Sequence, residues 1–218
     1  MDVTFKSVEE RLASEDYGDR LSAVNQIRYL DAPQAFELLQ RAIDDVNPRV
    51  RYAAVSQLSS VGQHNRDKSR EILEQALLRD SDMDVRAAAA DSVGALKLTE
   101  AFEAMEALYQ QSEEWLVKFS IVAALGELGD PRGYDILVAA LEGQNELIRT
   151  VAIGALGELK DPRAVPCLKA YVDSTDWQIR HRVAQALGQI GGEEAQASLQ
   201  TLSQDDIEQV AQEAKRGL

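Results

Sequence analysis

Cysteine is almost missing from this chain: Cys167 is the only one in 218 residues. No intramolecular disulfide can form, and no cysteine-rich zinc site exists. That scarcity fits a reducing compartment. Histidine is nearly as scarce, with His64 and His181 alone. Aromatic residues make up only 6% of the chain and include two tryptophans. Proline (5) and glycine (13) are too few for a loop-rich or low-complexity sequence. No apolar run approaches the ~18 residues of a membrane helix, and Met1 to Arg11 lacks the apolar core of a secretion signal. Basic residues are the minority: 23 Lys+Arg stand against 37 Asp+Glu, a formal net charge of −14. Nucleic-acid binding over the whole surface and attraction to anionic lipid are both disfavoured. The expectation is an acidic, soluble, cytoplasmic protein with no nucleic-acid partner and no membrane insertion.

What the chain does have is an internal repeat. One copy reads Asn47-Pro48-Arg49-Val50-Arg51-Tyr52-Ala53-Ala54-Val55-Ser56-Gln57-Leu58. Another reads Asp82-Met83-Asp84-Val85-Arg86-Ala87-Ala88-Ala89-Ala90-Asp91-Ser92-Val93. Glu114 to Leu125, Asn145 to Leu156 and Asp176 to Leu187 follow the same plan, and Asp16 to Ile27 is a degenerate first copy. The copies start at 16, 47, 82, 114, 145 and 176, with gaps of 31, 35, 32, 31 and 31 residues. Asp206 lies 30 residues further on and is expected to begin a shortened final helix.

Each copy opens on Asp, Asn or Glu, and Asp and Asn are good helix N-caps. Apolar or small residues recur at helical spacing, as in Val50, Ala53, Ala54 and Leu58. Gly94, Gly126, Gly157 and Gly188 follow the stripe and read as helix ends. Asp130-Pro131-Arg132 and Asp161-Pro162-Arg163 then start a second helix, with proline where its missing N–H costs nothing. Tyr134–Leu141 and Ala164–Val172 continue it. Ser7-Val8-Glu9-Glu10 reads as a capping box opening an N-terminal helix. One antiparallel pair cannot bury its apolar faces alone, whereas stacked pairs share a core. The expected fold is all-α: a right-handed α-solenoid of about six helix pairs. It forms a single domain over 1–218, with an N-terminal cap at 1–15, repeats over 16–204 and a C-terminal capping helix at 205–218.

The unit Asp-x-x-Val-Arg-x-x-Ala-Ala-x-x-Leu-Gly, followed by Gly-Asp-Pro-Arg, resembles a HEAT-like repeat. More narrowly, it is similar to the repeats of the phycobilisome lyase family, from about Asp16 to Leu202. Arg20–Ile27, Val50–Gln57, Ala87–Leu98, Glu114–Leu128 and Asn145–Leu156 carry the narrower likeness. The resemblance implies a role with bilins in a cyanobacterial cytosol. Members attach, isomerise or detach these linear tetrapyrroles on phycobiliprotein cysteines. The degradation-type members release phycocyanobilin from its thioether when nutrients are scarce. The implied partners are phycobiliproteins (phycocyanin and allophycocyanin) and the bilin itself, with phycocyanobilin as ligand and no other cofactor. A non-catalytic adaptor to proteolysis and a bilin-attaching lyase or chaperone are the alternatives.

The resemblance also implies that the helices starting with the Val-Arg pair line a concave face. A basic residue recurs there as Arg20, Arg51, Arg86, Lys118, Arg149 and Arg180, four residues after each capping position. Asp16, Asp82, Glu114 and Asp176 are expected to hold four of them in ion pairs along their own helices. Arg51 and Arg149 follow uncharged Asn47 and Asn145, so their guanidinium forks are expected to be free for bilin propionates. Arg149 is the leading candidate. Trp115 and Phe119 flank Lys118, and Trp177 and His181 occupy the same two positions around Arg180. Tyr52 holds the second aromatic position beside Arg51. Together these residues describe a groove with aromatic walls and a cationic floor, or rings packed between helices. His181 is the candidate acid for bilin detachment. Glu114, Glu146 and Asp176 are acids at the same edge, equally explained as helix N-terminal charges. Cys167 reads as a small core residue, and His64 as an exposed loop residue. No metal site is expected. No His-Glu dipeptide, phosphate loop or Gly-x-Ser-x-Gly elbow occurs.

Overall fold

The computed structural model of the protein describes residues 3–218. Met1 and Asp2, the start of the expected N-terminal cap, lie outside the described residues. Among the described residues there are fourteen α-helices and three short 3-10 turns, and no strand. The helices are α1 (Phe5–Leu12), α2 (Tyr17–Ile27), α3 (Ala32–Ala42), α4 (Pro48–Val61), α5 (Arg66–Arg79), α6 (Met83–Ala95) and α7 (Phe102–Gln111). They continue with α8 (Trp115–Leu128), α9 (Tyr134–Glu142), α10 (Glu146–Leu159), α11 (Ala164–Lys169), α12 (Trp177–Ile190), α13 (Glu193–Leu202) and α14 (Glu208–Arg216). Contacts divide the chain into two compact units, Met1–Ser120 and Ile121–Leu218, so the division falls inside α8. In the first unit α2 packs on α4 and α4 on α6. In the second, α10 packs on α12 and α12 on α14. All of these even-numbered helices but α14 carry the recurrent basic residue four positions after the cap.

The capping residues act as their type dictates. The side chains of Asp16, Asn47, Asp82, Asn145 and Asp176 accept from backbone amides two or three residues on. Such a cap replaces a hydrogen bond that the first turn cannot make for itself. The two ends differ from the sequence reading. The N-terminal capping box is Thr4 with Ser7, so Ser7 is the third helical residue and not the cap. The last helix is entered through Ile207, not Asp206; the Ile207 amide donates to Asp205 Oδ1 at 2.9 Å.

In α4, α8 and α10 the core stripe falls three, seven, eight and eleven residues after the capping position. Val50, Ala54, Val55 and Leu58 form one such set; Val117, Ile121, Val122 and Leu125 form another; Ile148, Ala152, Ile153 and Leu156 a third. All are buried. Opposite them in their own units lie odd-helix residues such as Leu38, Leu39, Leu73 and Leu77, and Leu137, Leu141 and Leu168. The alternation of one buried stripe with one exposed face is what amphipathic spacing requires.

The glycines do not end their helices, contrary to the sequence expectation. Gly94, Gly126, Gly157 and Gly188 all lie inside α6, α8, α10 and α12. Turns come three residues later, where Lys97, Gly129, Lys160 and Gly191 take positive φ of 51°, 72°, 56° and 71°. The helical glycines instead allow close approach between successive repeats. A Cβ on Gly126 would stand 2.5 Å from Ala155 Cα, and one on Gly157 would stand 2.7 Å from Ala186 Cα. Both distances are shorter than real side chains tolerate. Glycine against alanine is the small pair that lets these helix backbones touch.

Candidate functional site

The recurrent basic residues are held by loops. Arg20 Nε and Nη2 donate to Asp45 at 2.6 and 3.0 Å. Arg51 donates to Asp80 at 2.8 and 2.7 Å. Arg180 donates to Asp205 at 2.6 and 2.9 Å. Each fork is bidentate and nearly buried, and each partner comes from the loop that opens the next repeat. The same guanidinium groups donate to carbonyls of their own loop, such as Ser14, Asp45 and Ser174. Two expectations change here. The ion pairs bridge repeats and do not run along one helix, because Asp16, Asp82 and Asp176 turn inward to cap backbone amides. Arg51, expected to be free, is fully committed to Asp80.

The carboxylates report this arrangement. Asp205 is pulled down to about 2, first by the Arg180 hydrogen bonds, against the opposing effect of burial. Burial pushes Asp45 and Asp80 up, but hydrogen bonds from Arg20 and Arg51 and from the backbone outweigh it. Both therefore stay below the ordinary carboxylate value of ~3.9.

The acidic partner always stands two residues before the next helix cap. Asp45, Asp80 and Asp205 fill that position for Arg20, Arg51 and Arg180. Ser112, Gly143 and Ser174 fill it for Arg86, Lys118 and Arg149. Serine still accepts from the cap amide, as Ser112 does from Glu114 at 3.1 Å and Ser174 from Asp176 at 3.3 Å. It offers no charge. Arg86 donates only to the Asp80 carbonyl, at 2.5 Å, and Arg149 only to the Gly143 carbonyl, at 2.8 Å. Lys118 sits 5.5 Å from the Tyr109 ring centre. None of these three cations makes an ion pair with a carboxylate among the described residues, although the Arg86 charge helps hold the Asp80 carboxyl down.

The aromatic candidates are exposed rather than packed away. Tyr52, Trp115 and Trp177 show 47%, 49% and 40% of their surfaces, and Phe119 and His181 are half-buried. Trp177 and His181 line a cavity of about 490 Å³ in the second unit. Its other walls are Thr150 of α10, the α12 cap Asp176, Gln178, Ile179, Arg182 and Gln185 of α12, and Gln209 of α14, so one carboxylate stands in the groove beside the Arg182 guanidinium. Neither Arg149 nor Arg180 reaches it. The cation in this groove is Arg182, which the sequence reading passed over. Arg182 stands six residues after its cap, on the face left once the core stripe and the loop-bound arginine are assigned.

Tyr52 lines a second cavity, of about 440 Å³, wholly within the first unit. Here α4 supplies Pro48, Arg49 and Tyr52, α6 supplies Asp84, Ala87, Ala88 and Asp91, and α8 supplies Leu116 and Ser120; the α6 cap Asp82 completes it. Three carboxylates against one guanidinium make this groove negative, so it does not suit propionates. Trp115 and Phe119 line neither cavity.

The two remaining singled-out residues lie elsewhere. His64 is exposed on a 3-10 turn, its ring 5.8 Å from that of Phe36. Cys167 is half-buried on α11, its sulfur 3.9 Å from the Tyr134 hydroxyl. Among the described residues no cluster of His, Cys, Asp and Glu has the geometry to hold a metal. No helix there is long and apolar enough to cross a membrane.

A comparison with curated protein sequences finds no match. Among solved structures, the chain is similar to a chain in the complex of CpcE and CpcF of phycocyanin lyase from Nostoc sp. PCC7120. That likeness has a TM-score of 0.66 at 21% identity and covers 100% of this chain and 94% of the other. It is similar to the Escherichia coli protein YibA, with a TM-score of 0.62 at 16% identity over 98% of this chain and 92% of the other. An engineered protein matches with a TM-score of 0.64 at 18% identity, over 98% and 67%. At these identities the likeness is one of fold. HEAT-repeat models match residues 6–82, 70–157 and 135–218, which together span nearly the whole sequence, and the chain belongs to the HEAT-repeat family.

Proposed function

We propose that this chain binds phycobiliproteins and promotes detachment of phycocyanobilin, in the manner of the phycobilisome degradation protein NblB, which its repeats resemble. The observation that carries the reading is the second-unit groove, where an exposed Trp177 stands beside His181 and Arg182. The fold likeness to a phycocyanin lyase chain supports it. A flat tetrapyrrole stacks on the indole face, and Arg182 forks a propionate. Gln178, Gln185 and Gln209 offer hydrogen bonds to the lactam ends. In detachment the C–S bond breaks with its electron pair moving to sulfur. A proton leaves the adjacent bilin carbon to water, and the cysteine sulfur takes one from His181. The step is redox-neutral. Arg149 and Lys118 are candidates for carboxylates on the phycobiliprotein surface, since no acidic side chain among the described residues pairs with them.

The test mixes purified protein with chromophorylated phycocyanin and follows co-elution and the visible spectrum together. Binding with loss of the protein-bound bilin band is expected, slowed roughly tenfold or more in His181→Ala. Binding with an unchanged spectrum would move the protein to the adaptor reading. Attachment of free bilin to apoprotein would make it a lyase. No binding at all would contradict both the proposal and its alternatives.

A further inference from the structure

Arg149 is one half of a clamp whose other half is a serine. Its guanidinium bonds the Gly143 carbonyl, six residues back, as Arg20, Arg51 and Arg180 bond the carbonyls of Ser14, Asp45 and Ser174. In those three repeats the fork then closes on an aspartate, at 2.6–3.0 Å, two residues before the next helix cap. For Arg149 that position holds Ser174. Tyr171 fixes the two loops side by side. Its hydroxyl donates to the Leu141 carbonyl at 3.1 Å, and its carbonyl accepts from the Ser174 amide at 3.2 Å. Ser174 is half-buried and lines a surface depression together with Arg180, so its hydroxyl lies at the edge of solvent. Ser112, the matching residue for Arg86, is only 8% exposed and is closed to a modifying enzyme.

We propose that Ser174 is a phosphorylation site and that its phosphate closes the Arg149 clamp. A phosphoserine carries a charge of about −1.5 to −2 near neutral pH, with three acceptor oxygens. A guanidinium fork takes two such oxygens as it takes a carboxylate. The donor is a nucleoside triphosphate held by a separate kinase. Ser174 Oγ bonds to the γ-phosphorus, and the bond from that phosphorus to its bridging oxygen breaks. The electron pair leaves with the nucleoside diphosphate, and the hydroxyl proton passes to the kinase's base. Acidic neighbours do not bar the arrangement. Asp173 and Asp176 flank Ser174, but Asp44, Asp82 and Asp206 stand just as near the three aspartates that are already clamped. Asp205 stays with Arg180, so the added phosphate draws on Arg149. The bridge ties α10 to the loop that opens α12, the two helices whose Thr150 and Trp177 line the second-unit groove. The clamp is independent of what that groove binds.

The test installs phosphoserine at position 174 of the full chain during synthesis and compares its thermal unfolding with that of the unmodified protein. A rise in melting temperature of about 2–4 °C is expected, lost when the same comparison is made in Arg149→Gln. Arg149→Lys keeps the charge without the fork and is expected to retain part of the rise, which covers the case in which Arg149→Gln fails to fold. An unchanged or lower melting temperature, or a rise that survives Arg149→Gln in full, would overturn the proposal. The transfer itself is read by incubating the full chain with γ-phosphate-labelled ATP and an extract of its source cells. Label is expected on the chain and absent from Ser174→Ala. No label, or equal label in Ser174→Ala, would overturn the assignment of the site.

Discussion

Gly126 and Gly154 are both helical glycines, and they should respond oppositely to alanine. At Gly126 a Cβ meets the Ala155 backbone, at 2.5 Å from Cα and 3.0 Å from the carbonyl oxygen. Neither atom can yield without moving a helix, so Gly126→Ala should lose about 2 kcal/mol. At Gly154 a Cβ meets nothing within 4 Å, so Gly154→Ala should gain about 0.5–1 kcal/mol from helix propensity. Urea unfolding of the pair checks both signs. From sequence alone Gly126, like Gly94, Gly157 and Gly188, looked like a helix end, because glycine serves both purposes. The distinguishing signal was present but not local: Ala155 and Ala186 stand two residues before Gly157 and Gly188, the equivalent glycines of the next repeats. The candidate acid was better placed. His181 and Trp177 do share a groove, since four-residue spacing on one helix fixes their common face whatever the surroundings. Arg51 was misjudged because its partner, Asp80, lies 29 residues away, beyond any rule about one helix.

At the scale of the element, the loops before α4, α6 and α14 are clamped and those before α8, α10 and α12 are not. An acidic residue two positions before the helix cap accepts a backbone amide and also grips the previous arginine. Serine keeps the first role and drops the second. Ser174→Asp should therefore build with Arg149 the clamp that Arg51 makes with Asp80. The expected gain is roughly 0.5–1 kcal/mol, read as a higher melting temperature. The opposite change, Asp80→Ala, leaves the Arg51 fork unpaired in a nearly buried position and should lose about 3 kcal/mol. A Ser174→Asp protein that melts no higher, in a background where Asp80→Ala is strongly destabilised, would mean that Arg149 is aimed elsewhere. Helix positions and caps were readable from the sequence because they depend on 3.6-residue spacing and on side chains that bond their own backbone. The clamps were not, because they depend on how one repeat is set against the next.

Over the whole molecule the net charge of −14 hides two local chemistries, a negative groove in the first unit and a cation-bearing one in the second. Acid acts through the clamps. Asp205 titrates near 2 when folded, Asp45 and Asp80 also lie below their ordinary value, and all three rise to ~3.9 on unfolding. Carboxylates held below their unfolded pKa stabilise fully above ~3.9 and lose that contribution as pH falls towards 2. Stability should thus hold from neutrality to about pH 5 and drop between about pH 4 and 2, with a shallower drop in Asp205→Asn. The central claim is that the groove around Trp177 holds a bilin. Trp115→Phe leaves Trp177 as the only tryptophan, so titrating phycocyanobilin into that protein reads this groove alone. Saturable quenching, with a shifted bilin spectrum and loss of both in Arg182→Glu, is the predicted result. Quenching that rises linearly without saturating, equal in Arg182→Glu, would contradict it.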